Sequence, residues 1–112
     1  MNTTGKLFSG LILLSVLVTA QTVWQNLQVL QFESKAELKQ FMEGVAADLG
    51  VECVFCHDLR DKSSDEKKHK LVARDMLKMT AGINDQYLNW EGAEKVGCWS
   101  CHRGQKEPEK RK

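Results

Sequence analysis

The chain holds 112 residues, with 16 Lys and Arg against 15 Asp and Glu, a formal net charge of +1 at pH 7. That length allows one domain and excludes a multidomain enzyme, and so even a charge balance offers no basic field for nucleic acid. Domains this small bury little surface and are usually held by a metal, a disulfide or another cofactor, which puts the weight of the reading on four cysteines and three histidines.

The amino-terminal segment Asn2 to Lys6 carries one positive charge and precedes an apolar run, Leu7 to Val18, that ends in Val18-Thr19-Ala20. This is the layout of a secretory signal over residues 1–20, cut after Ala20. The alternative is an uncleaved anchor reaching to about Leu30, although Gln21, Thr22, Gln25 and Asn26 interrupt it and a spanning helix wants roughly 20 mostly apolar residues. Both readings place the rest of the chain outside the cytoplasm. The expected domain covers residues 21–105, and the polar stretch 106–112 reads as a loose tail.

Within the domain, Ser34-Lys35-Ala36-Glu37 predicts a capping box. Leu38, Phe41, Met42, Val45, Ala46 and Leu49 then recur at three- and four-residue steps, one face of an amphipathic helix that Gly50 stops. Asp58 to Lys70 is dense in charge and serine and begins as a solvated loop. Ser63 and Glu66 predict a second capping box and the start of a second helix. Val72, Met76, Met79, Ile83 and Tyr87 share its buried face, and Gly92 and Gly97 break the pattern. No strand alternation is present.

A repeat emerges: a helix with methionine on its apolar face, a glycine turn, then Cys-x-x-Cys-His. The copies are Cys53-Val54-Phe55-Cys56-His57 and Cys98-Trp99-Ser100-Cys101-His102. Two thiols three positions apart sit on one side of a tight turn, where each can add to one haem vinyl group, and the next residue sets its imidazole beneath the iron. The pentapeptide is the attachment signature of c-type haem, and two copies behind an export signal predict two covalently bound haem c groups. Zinc is the weaker reading, because the span from Cys56 to Cys98 exceeds the usual loop of roughly 12 to 20 residues. Disulfides, the default for exported cysteines, leave His57 and His102 without a role. A thioredoxin-like site expects a strand–helix sheet domain.

With His57 and His102 as proximal ligands, one histidine remains, His69, in the charged run Lys67-Lys68-His69-Lys70, where it reads as exposed. Methionine is the other usual sixth ligand, although methionine on an apolar stripe is commonly plain core filling. Met42 precedes the first motif; Met76 and Met79 precede the second, and the residues alone leave those two open.

Three stretches resemble the cytochrome c subunit of photosynthetic reaction centres: Leu49 to His57; Ala73-Arg74-Asp75-Met76-Leu77-Lys78-Met79 with Ile83-Asn84; and Val96 to Gly104. Asn26 to Leu30 is also similar to shorter exported relatives of that domain. The likeness runs from about Asn26 to Pro108 and suggests one two-haem unit, half of the four-haem subunit. The resemblance implies a helix alongside each haem with its methionine facing the iron, so that Met42 and Met76 become sixth ligands and Met79 packing. Trp90 stands where the four-haem subunit has a histidine that reaches the other half, and no cysteine lies where many members attach lipid.

The expected fold is therefore mainly α: a small multihaem c-type cytochrome of two helix–turn–CxxCH repeats packed around two haems. The site residues are Cys53, Cys56, Cys98 and Cys101 for attachment, and His57, His102, Met42 and Met76 for iron. The expected role is to carry single electrons at the outer face of the cytoplasmic membrane or in the periplasm, without enzymatic activity. Expected partners are redox proteins, including a membrane-bound reaction centre or other respiratory complex, with membrane association and no nucleic acid. Trp99, Phe55, Trp90 and Tyr87 are expected haem walls or ordinary core aromatics, and Arg74, Arg103 and Lys95 expected propionate partners or solvated charges. The rival is a haem enzyme or gas sensor with one open iron site, which needs acid–base groups around that site.

Overall fold

The computed structural model describes residues 25–111, so the expected leader and any anchor through residue 24 lie outside the described residues. Three helices follow one another, α1 (Lys35–Leu49), α2 (Lys68–Gln86) and α3 (Cys98–His102), with a short 3₁₀ turn at Cys53–Phe55. Among the described residues there is no strand and no helix long and apolar enough to cross a membrane.

The start of α1 is the capping box its sequence predicts. The Ser34 hydroxyl accepts the Glu37 N–H at 3.2 Å and the Glu37 carboxylate accepts the Ser34 N–H at 3.1 Å, so two of the helix's orphan donors are satisfied. Phe32 leans on Phe41 with ring centroids 5.3 Å apart, which fixes the angle at which the chain enters. The helix closes in a left-handed turn at Gly50, φ +62°. There the Gly50 N–H reaches the Ala47 carbonyl at 3.1 Å and the Val51 N–H the Ala46 carbonyl at 3.0 Å, the paired bonds of a Schellman end.

The second helix starts later than its sequence suggests. Asp61 accepts both the backbone N–H of Ser63, at 3.0 Å, and its hydroxyl, at 2.5 Å, so Ser63 is spent in a side-chain-closed turn and no Ser63–Glu66 box forms. Lys67 instead occupies the cap position without a side-chain bond to the helix end, and the loop is gathered by Lys70. Its ammonium donates to the carbonyls of Lys62, Ser63 and Ser64 at 2.9, 2.8 and 2.7 Å. At the other end Tyr87 is already the cap residue and not part of the helical face.

Helix packing centres on α1 against α3. None of the described residues is fully buried by protein alone: Met76 is 38% exposed and Met79 45%. Leu71 and Val72 on the same helix are exposed too. Tyr87, Trp90 and Trp99 are likewise exposed. The polypeptide forms helices and turns but does not enclose its apolar side chains.

Candidate functional site

Each Cys-x-x-Cys-His copy is tightly wound. In the first, the carbonyl of Cys53 accepts the N–H groups of Cys56 and His57 at 3.3 and 2.9 Å, so the 3₁₀ turn gathers both thiols and the imidazole. The second copy is α3 itself, a single helical turn whose entry is tied by the Gly97 N–H donating to the Ser100 hydroxyl at 3.1 Å. Spacing alone suggests a turn at both motifs; one of the two is helical. All four cysteines are free thiols, and burial pushes Cys56 and Cys98 above the ordinary thiol range. The Lys67 ammonium opposes this at Cys56, and the Asp48 carboxylate adds to it at Cys98.

The two histidines share a feature that sequence does not reveal. His57 donates its Nδ1–H to the Lys62 carbonyl at 3.0 Å, and His102 donates its Nδ1–H to the Gln105 carbonyl at 2.9 Å. A carbonyl only accepts, so each bond places a proton on Nδ1 and makes Nε2 the ring nitrogen turned away from that carbonyl and open to a metal. That is the arrangement of a metal-ligating histidine, tautomer and ring plane fixed by a carbonyl behind it. His57 is also held toward its neutral form, first by burial and then by the nearby Lys70, Lys62 and Lys67 ammoniums, against the raising effect of its bond to Lys62.

Outside the motifs, two clamps position the remaining parts. Asn84, near the end of α2, donates to the Val96 carbonyl at 2.9 Å and accepts the Val96 N–H at 2.8 Å, holding the approach to the second motif. Arg74 grips Asp65 through two bonds of 3.1 and 2.8 Å and reaches the Asn26 carbonyl at 3.4 Å. Arg74 is thus committed to a structural pair with Asp65. Lys95 is committed as well, to the carbonyls of Asn84 and Leu88. The third histidine, His69, stacks on Phe55 of the first motif, centroids 4.0 Å apart and planes 17° apart. An open cavity of about 410 Å³ beside Cys101 and His102 is bounded by Glu109, Lys110 and Arg111.

Met42 lies half-buried on α1, while the exposure of Met76 and Met79 does not separate them. Among the described residues no group of three or more His, Cys, Asp and Glu side chains converges on one point, so the four cysteines do not form a zinc cage. The donor set fits covalent haem: paired thiols, an imidazole with a free Nε2 at each motif, methionine thioethers on neighbouring helices, and a large apolar surface that the protein leaves uncovered. Thioether bonds and apolar walls are what such a group requires.

Comparison with known proteins agrees with this donor set. Residues 16–111 match the model of the family described as photosynthetic reaction centre cytochrome C subunit. The chain is 39% identical over 93 residues to the photosynthetic reaction center cytochrome c subunit of Rubrivivax gelatinosus, covering 80% of this chain and 25% of that protein. It is 35% identical over 100 residues to the subunit of the same name from Roseobacter denitrificans, 80% of this chain and 26% of that one. With cytochrome c-554 of Chloroflexus aurantiacus it shares 37% identity over 82 residues, 69% of this chain and 20% of that protein. The matched stretch thus spans a fifth to about a quarter of these relatives, less than the half that the motifs suggest. With its fold, motif turns and sequence likeness in agreement, the chain belongs to the photosynthetic reaction centre cytochrome c subunit family.

Proposed function

We propose that this protein is an exported two-haem c-type cytochrome that passes single electrons and performs no bond-making chemistry on a substrate. Cys53 and Cys56 tether one haem and Cys98 and Cys101 the other. His57 and His102 would hold the irons through nitrogen, and Met42 and Met76 through sulfur. The haem iron, when bound, supplies the one-electron ferrous–ferric couple. The chain's own residues keep each imidazole in one tautomer, close the iron to small ligands with sulfur, and exclude water with the side chains of α1 and α2.

The observation that carries this reading is the pair of Nδ1–H bonds, His57 to the Lys62 carbonyl and His102 to the Gln105 carbonyl, which turn Nε2 outward at both motifs. Its donors and acceptors are redox proteins at the outer face of the cytoplasmic membrane, with a membrane-bound reaction centre or other respiratory complex the expected class, as the names of its relatives suggest.

Intact mass and visible–near-infrared spectra of the protein matured with a haem-attachment system test the proposal. The expected result is the mass of the processed chain plus two haems, with the charge-transfer band of ferric iron bound by methionine. A mass equal to the polypeptide alone overturns it.

A further inference from the structure

The two histidine acceptors are not equivalent. The Gln105 carbonyl behind His102 receives only that imidazole's proton among the described residues. The Lys62 carbonyl behind His57 receives two donors: the imidazole at 3.0 Å and the Lys70 ammonium at 2.9 Å. Lys70 is the more committed partner, since its side chain is 11% exposed and it also holds the Ser63 and Ser64 carbonyls. Its pairing with Asp65, at 3.1 Å, does not cancel it, because the same carboxylate also pairs with Arg74 at 2.8 Å. The three side chains together keep one positive charge.

We propose that Lys70 raises the reduction potential of the haem held by His57 relative to the haem held by His102, by placing its ammonium on the carbonyl that accepts the His57 proton. This rests on the two-haem reading above. Two physical effects act in the same direction. An ammonium on the carbonyl draws its electron density away, so the oxygen pulls less on the Nδ1 proton, the imidazole becomes a weaker electron donor, and the ferric state loses support. A fixed positive charge near the iron also favours the state with one more electron, and little solvent reaches Lys70 to screen it. Among the described residues no ammonium bonds the Gln105 carbonyl behind His102, so two near-identical attachment motifs acquire two distinct potentials.

The test is a potentiometric titration of the two-haem protein as wild type and as Lys70→Met, Lys70→Arg and Asn26→Ala. Lys70→Met is expected to lower the reduction equilibrium constant of one haem about tenfold, which for one electron is about 59 mV, and to leave the other wave in place. Lys70→Arg, which keeps the charge, should retain most of the wild-type value. Asn26→Ala removes the bond to the Ser63 carbonyl and loosens the same loop without changing charge, so it should move neither wave. If Lys70→Met does not yield holoprotein, Lys70→Gln, which keeps a donor but not the charge, carries the same expectation. Unmoved waves in a two-haem protein, equal movement of both, or an equal shift from Asn26→Ala overturn the lysine's role and leave the two-haem reading standing. Purified protein with no bound haem overturns that reading itself.

Discussion

Gly50 and Gly104 meet backbone to backbone. The Gly104 N–H donates to the Asp48 carbonyl at 2.8 Å, and its carbonyl oxygen occupies the space where a Cβ on Gly50 would stand. The end of the helix before the first motif is thereby joined to the residue pair that follows the second. Gly50 has φ +62° and Gly104 φ +80°, conformations that only glycine adopts at little cost.

The two glycines differ in what a methyl group would meet. Gly104→Ala faces only ordinary contact with the Trp99 ring at 3.6 Å, so it should cost the backbone strain alone, about 1–2 kcal/mol. Gly50→Ala adds a collision with main-chain atoms that cannot rotate away, and should cost more than about 2 kcal/mol. Denaturant unfolding of the holoprotein, compared at fixed haem content, gives the order; equal losses would place the contact elsewhere.

Replacing the cysteines by pairs separates the two centres. Cys98→Ser with Cys101→Ser is expected to yield protein carrying one haem by intact mass, and Cys53→Ser with Cys56→Ser likewise. Loss of both haems from either pair would show that the motifs do not act independently.

Met76 and Met79 lie on one face of α2 and are separated by ligand substitution. Met76→Leu is expected to halve the near-infrared methionine band and open one haem to carbon monoxide. Met79→Leu should do neither. The reverse result would transfer the ligand role to Met79, and Met42→Leu should remove the other half of the band.

Asp65 contributes to the acid limb. The Arg74 guanidinium, then the Asn26 amide, then Lys70 hold its carboxyl well below the usual carboxylate range. In the unfolded chain the group titrates near 3.8, so below that pH the unfolded state takes up the proton first and stability falls as pH falls. Above it the contribution is fully present. Asp65→Asn should therefore show a flatter loss of stability between about pH 4 and pH 2, read by the denaturation midpoint across pH; an unchanged slope would assign acid sensitivity to other groups.

Local chemistry was the legible part of this molecule. Ser34 and Glu37 are three residues apart and answer only to each other, so the start of α1 reads directly, as does its end at Gly50. The start of α2 does not, because Asp61 takes the Ser63 hydroxyl that a capping box needs. The attachment motifs are legible for their fixed side chains. The carbonyls of Lys62 and Gln105 that orient the imidazoles are main-chain atoms, and no residue type announces them. Lys70 sits in a charged run and looks solvated, whereas its ammonium closes the loop. The apolar face of α2 was legible as a stripe, but a stripe does not say whether protein or another group will cover it.

The joint between Asp48 and Gly104 also has a consequence for timing. It closes a long stretch of chain, and contacts distant in sequence form after local helices and turns because their closure entropy must be met first. The capped α1 and the wound attachment turns are local and precede it. Until the joint forms, the two pentapeptides are separate and accessible, so on the two-haem proposal they could be modified one at a time, with neither order imposed by the finished fold.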